Sequence, residues 1–140
     1  MITCTRRIQF CAGHRVYGHE GHCKFVHGHN YVAFITVHAE KLDEVGRVID
    51  FSCIKDKVGR WIEEHWDHGF IYWNADTEID HMLDRVPGTK RFSLALNPTA
   101  ENMAFYLLHY TCPDVLKGTN CQATKIVLWE TENCYAEATI

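Results

Sequence analysis

Apolar residues alternate along residues 2–12, with Ile8, Phe10 and Ala12 on one side, and this spacing predicts a β-strand with one buried face. Residues 31–39, Tyr-Val-Ala-Phe-Ile-Thr-Val-His-Ala, are rich in β-branched and aromatic side chains and predict a second strand. The loop between them carries Gly18, Gly21 and Gly28, so the two strands read as the arms of one long hairpin. The pattern then changes period. Phe51, Ile54, Val58, Trp61, Ile62 and His65 recur at helical spacing, with Ser52 as the expected N-cap and Gly69 as a stop. Asn97-Pro98-Thr99 opens a second helix, capped by Thr99, with Met103, Ala104, Leu107 and Leu108 facing inward. A short strand is expected within residues 90–96, and two more at 121–129 and 134–140, joined by a turn at Thr131-Glu132-Asn133. The order ββαβαββ predicts a single α+β domain over residues 1–140, with helices on one face of an antiparallel sheet.

Composition adds exclusions. The chain has 140 residues, long enough to bury a core without cross-links. No apolar run approaches the ~20 residues that span a bilayer, and the N-terminus lacks the apolar stretch of a secretory signal, so a cytoplasmic protein with no membrane partner is expected. The seven cysteines are odd in number and scattered, which predicts reduced thiols over a disulfide framework. With a net charge of −4 and no basic run beyond Arg6-Arg7, nucleic acid is not an expected partner. A small anionic substrate stays compatible, because a local pocket can be basic on an acidic protein.

Ten histidines are many for this length, and their clustering carries the chemistry. His27 and His29 lead into the second strand, where residues two apart point the same way with about 6.6 Å between them. His14 ends the first strand in phase with Phe10 and Ala12, so the hairpin would set it opposite the pair. Three neutral imidazoles suit Zn²⁺ and leave a fourth position open, the pattern of a catalytic site. A rival reading draws Cys23 into the coordination sphere and closes the site, leaving a zinc-stabilised binding module without turnover. His19 and His22 read as solvated loop residues.

Several motifs in order resemble the 6-pyruvoyl-tetrahydropterin synthase family, which includes the 6-carboxytetrahydropterin synthases of queuosine biosynthesis. They are Phe10-Cys-Ala-Gly-His14-Arg15, Cys23-Lys-Phe-Val-His27-Gly-His29-Asn-Tyr31, Gly46-Arg-Val-Ile-Asp50-Phe51, Trp66-Asp67-His68, Asn97-Pro-Thr99-Ala-Glu101-Asn102 and Trp129-Glu130-Thr131. The resemblance implies the tunnelling fold, a four-stranded antiparallel sheet with two helices on one face. It also implies trimers that close into barrels, trimer pairs stacked as hexamers, and active sites at subunit interfaces. It places zinc on His14, His27 and His29, catalysis on Cys23 with an Asp67–His68 relay, and the pterin ring on Glu130. Gly13 and Trp66 depart from the residues usual at their positions, and residues 74–96 are longer than in the shortest bacterial members.

The implied substrate is the small molecule 7,8-dihydroneopterin triphosphate, whose hard steps are proton transfers on its side chain. A cation near Cys23 would lower its thiol pKa from about 8.5 into a working range. The guanidine-like edge of a pterin offers two parallel donors to one carboxylate, which suits Glu130. Thr99 and Glu101 are explained by helix capping and are also candidates for substrate contact, while Arg15 and Lys24 are candidates for the triphosphate. The spacing Cys-x-x-x-His-Gly-His resembles the carboxy-forming lyases, which release acetaldehyde and triphosphate. The pyruvoyl-forming triphosphate lyase is the alternative.

Overall fold

A computed structural model describes residues 1–140, and its centre is the predicted hairpin. Strand β1 (Thr3–His14) pairs antiparallel with β2 (His27–Ala39) along its whole length, from Thr3 opposite His38 to His14 opposite His27. The inward positions of both strands carry the core: Phe10 and Ala12 from β1, and Tyr31, Ala33, Ile35 and Val37 from β2. Because side chains alternate across a strand, the same phase aims His14, His27 and His29 to that side.

A continuous helix, α1, follows in three parts: Phe51–Ile54, a wide turn at Lys55–Gly59, and Arg60–His65. It lays Ile54, Val58 and Ile62 on the sheet, as predicted, but Phe51 is exposed. Its N-cap is Asp50, not Ser52: the Asp50 carboxylate accepts from the Ser52 amide and hydroxyl, both at 2.8 Å. A carboxylate is the stronger acceptor at a helix N-terminus, so it takes the cap.

Strand β3 (Gly69–Trp73) was not expected, because Gly69 read as a stop. It runs parallel to the end of β1, with His14 opposite Ile71, and is followed by helix α2 (Thr77–Asp84) and the expected short strand β4 (Arg91–Leu94). Phe70, Tyr72, Ile79 and Leu83 give this excursion its own small core. Helix α3 begins at Ala100–Tyr106, widens through Leu107–Thr111 and ends at Cys112–Val115. Met103, Ala104, Leu107 and Leu108 are buried as predicted, and Thr99 caps the helix by accepting from the Asn102 amide at 3.1 Å. Strands β5 (Cys121–Thr131) and β6 (Cys134–Thr139) complete the sheet.

The strand order is β4-β3-β1-β2-β5-β6. The four long strands β1, β2, β5 and β6 form the antiparallel sheet that was predicted, while β3 and β4 raise the count to six and make the sheet mixed. All seven cysteines are free thiols. No helix is long and apolar enough to cross a membrane.

Candidate metal centre and active site

The register that ends β1 opposite the start of β2 brings three imidazoles together. His27 Nε2 lies 3.1 Å from both His14 Nε2 and His29 Nε2. Those are the separations expected when three nitrogens share one ion about 2 Å away. The opposite ring nitrogens are anchored: His14 Nδ1 donates to the Pro98 carbonyl and His27 Nδ1 to the Phe25 carbonyl, each at 2.7 Å. Anchoring Nδ1–H sets the tautomer that presents a lone pair at Nε2, the support that metal-binding histidines usually have. His14 is only 1% exposed, and burial lowers its pKa to about 4. Burial likewise lowers His29, with His27 adding to the effect. Three converging imidazoles, two of them anchored at Nδ1, fit a metal ion, and these are the residues that could hold it.

Cys23 stands outside that ligand group. It sits in a short 3₁₀ turn, His22–Lys24, whose position is fixed by the Val16 amide donating to the Cys23 carbonyl at 2.8 Å. The hydroxyl of Tyr31 is fully buried and has no hydrogen-bond partner. Burial, then the charges of Glu130 and Cys23, raise the Tyr31 pKa. The Tyr31 ring meets His14 and His29 edge-on at centroid distances of 5.9 and 5.4 Å, so this phenol forms the floor of the centre. Sequence reasoning left it out, although its phase with His27 and His29 on β2 was the available signal.

Glu130 arrives from the end of β5, with Oε2 3.1 Å from His29 Nε2 and 3.4 Å from His14 Nε2. Burial, joined by the nearby Glu101 charge, raises its pKa, against a lowering from His27. The carboxylate borders a hollow of about 630 Å³ shared with Gln9, Asn30, Phe34 and Trp129.

The Asp67–His68 pair is formed. Asp67 Oδ1 accepts from the Cys11 amide at 2.9 Å, and Oδ2 accepts from His68 Nδ1 at 2.9 Å. These hydrogen bonds and the His68 charge hold the Asp67 carboxyl below its usual range, despite an opposing burial effect. His68 has a positive φ of 58°, uncommon for a residue with a side chain, and its side chain is 79% exposed. It lines a hollow with Cys11, Ala12, Gly13, His29 and Asn30. The dyad side chains make no hydrogen bond or ion pair with the three imidazoles or with Cys23.

Arg15 differs from expectation. Its guanidinium grips Asp76 through Nε and Nη2 at 2.7 and 2.6 Å and reaches Glu78 at 2.8 Å. These carboxylates occupy the fork that was assigned to a triphosphate. Thr99 spends its hydroxyl on the helix cap. Lys24 stays exposed beside Cys23, over the Phe25 ring at 5.3 Å.

Comparison with known proteins fits this arrangement. The family model described as 6-pyruvoyl tetrahydropterin synthase matches residues 3–139. The chain belongs to that family. A 6-pyruvoyl tetrahydropterin synthase family member of Rickettsia felis, named 6-carboxy-5,6,7,8-tetrahydropterin synthase, is 44% identical over 98% of this chain and 99% of its own. A Haemophilus influenzae protein of the same name is 27% identical over 98% of each chain. Among solved structures, a Wolinella succinogenes protein superposes with a TM-score of 0.82 at 21% identity, covering 99% of this chain and 97% of that one. The Caenorhabditis elegans 6-pyruvoyl tetrahydropterin synthase gives 0.70 at 21% identity, covering 99% and 95%. The tunnelling fold read from the motifs is therefore the fold of the chain.

Proposed function

We propose that this protein is a zinc-dependent lyase that converts 7,8-dihydroneopterin triphosphate and water to 6-carboxy-5,6,7,8-tetrahydropterin, acetaldehyde and triphosphate, a step toward queuosine. The observation that carries the choice of product is the 44% identity, over nearly the full length of both chains, to relatives that bear that name. The pyruvoyl-forming relatives found by structure are 17–21% identical, which speaks for the fold alone.

On this reading His14, His27 and His29 hold zinc, which supplies Lewis acidity toward the oxygens of the substrate side chain. Glu130 accepts the two parallel N–H donors of the pterin edge and so sets the side chain over the imidazoles. Cys23, as thiolate, removes or relays a proton there, and its place outside the ligand group leaves it free to do so. Asp67 accepts from His68 Nδ1 and leaves Nε2 as the atom that exchanges a proton with substrate. Lys24 is the cation that remains for the triphosphate.

Because the His68 side chain is 79% exposed and bonds to Asp67 alone, we read the dyad as serving the centre of a neighbouring subunit. The edges allow this. From Thr3 to Phe10, β1 has no partner on its outer side, and β6 likewise ends the sheet with one edge open. Open edges of this kind add strands, and antiparallel pairing of β6 on the next β1 closes a ring of subunits into a homo-oligomer.

The test is incubation of zinc-loaded protein with 7,8-dihydroneopterin triphosphate and identification of products. Acetaldehyde and 6-carboxytetrahydropterin in equal amounts are expected. Triphosphate release without acetaldehyde would move the protein to pyruvoyl-forming chemistry.

A further inference from the structure

The excursion β3-α2-β4 contributes no side chain to the metal centre, yet one of its residues is tied to the strand that does. Asp76 is 1% exposed and performs two tasks: it caps α2, accepting from the Ile79 amide at 3.4 Å, and it takes both Nε and Nη2 of Arg15. Arg15 is the residue directly after His14. The next two residues are fixed as well. Val16 holds the carbonyl of Cys23, and Tyr17 exchanges two hydrogen bonds with the Asn97 side chain at 2.9 and 2.7 Å while its ring meets Trp73 at 5.9 Å. Arg15 also lies over the Tyr17 ring at 5.7 Å. Where the loop toward Cys23 leaves β1, it is therefore gripped by a bidentate ion pair whose acidic half is buried and belongs to a helix cap.

We infer that Asp76 is a positioning residue: through Arg15 it fixes the backbone between His14 and the Cys23 turn, and so sets where the thiol stands relative to the imidazoles. This rests on the reading of Cys23 as the reactive thiol. The chemistry favours a device of position over one of charge. A planar guanidinium held at two nitrogens by one carboxylate has a single orientation, which a lysine at the same place would not have. Shifts of about 1 Å at a reacting group can cost about 100-fold in rate, so a clamp distant from the chemistry can matter.

The experiment compares zinc-loaded wild type with Arg15→Lys, Asp76→Asn and the neutral amide pair Arg15→Gln/Asp76→Asn. Asn still caps a helix, and the pair leaves no unpaired buried charge, so the double variant is expected to regain most of the Tm lost in Asp76→Asn. Two readouts follow in each protein: the rate of iodoacetamide alkylation at Cys23, resolved by peptide mass spectrometry, and kcat and KM for the pterin triphosphate. The inference predicts that the double variant and Arg15→Lys keep one zinc per chain and a KM within about twofold of wild type, while kcat falls about tenfold or more. The Cys23 alkylation rate should change by several-fold in the same proteins. Recovery of both rates together with Tm in the double variant would reduce the pair to a stabilising contact and overturn the inference. If wild type shows no turnover, the proposed reaction fails, while alkylation still decides the clamp.

Discussion

Replacing Cys23 with Ala is expected to lower turnover by about 100-fold to 10,000-fold, the range for losing a positioned acid–base group, while the protein keeps one zinc per chain. The expectation follows from where the thiol sits. The group that could hold a metal is three imidazoles, and Cys23 is not part of it but lies on a separate turn. Removing its sulfur leaves the donor set intact and the fold unburdened. A closed four-ligand site would behave differently, because there the binding energy is folding energy and losing the sulfur would cost both metal and Tm. Zinc content, Tm and kcat measured on the one variant separate the two, and coincident loss of all three would retire the catalytic reading of Cys23.

The same variant tests whether the dyad acts across subunits. His68→Ala should also be inactive with zinc retained, since His68 touches no metal ligand and its ring is exposed. When the two inactive proteins are unfolded together and reassembled in equal amounts, about one site in four would combine an intact Cys23 with an intact His68 from its neighbour. Recovery of about that share of wild-type activity is the expected result. If each chain used its own dyad, the mixture would stay inactive.

These consequences depend on features of unequal legibility. The long strands were readable because each is buried on one side, which writes an alternating pattern into residues such as Ile8, Phe10 and Ala12. The imidazole cluster was readable for a related reason: His27 and His29 share a phase on β2, and β1 ends in the same phase at His14. Strand β3 was hidden because Phe-Ile-Tyr-Trp is continuous rather than alternating, as a strand covered on both sides requires. Helix α2 was hidden by its brevity, with only Ile79 and Leu83 buried in eight residues. The engagement of Arg15 could not be read at all, since its partner is 61 residues away in a polar stretch with no pattern of its own.

Stripping the metal should make the fold acid-labile, and the direction follows from the buried histidines. His14 has an ordinary pKa of 6.5 when the chain is unfolded and about 4 in the folded, metal-free protein, because burial disfavours its charged form. Between those values the unfolded chain binds a proton that the folded chain refuses, so stability is intact above pH 6.5 and declines as the pH falls toward 4. A difference of that size for a ring 1% exposed corresponds to about 3 kcal/mol. His29, also lowered by burial, acts in the same direction. Glu130 opposes them, since its raised pKa favours the folded state on acidification. With two imidazoles against one half-buried carboxylate, the net slope is a loss of stability with acid. A metal ion held by the three imidazoles would keep them deprotonated, so the loaded protein should hold its urea midpoint to lower pH than the chelator-treated one. His14→Asn, which removes the buried titrating group, should flatten the metal-free protein's pH profile over that interval. A metal-free wild type whose urea midpoint does not move between pH 7 and pH 5 would show that the cluster is open to solvent and protons, and with it the buried, neutral centre would fail.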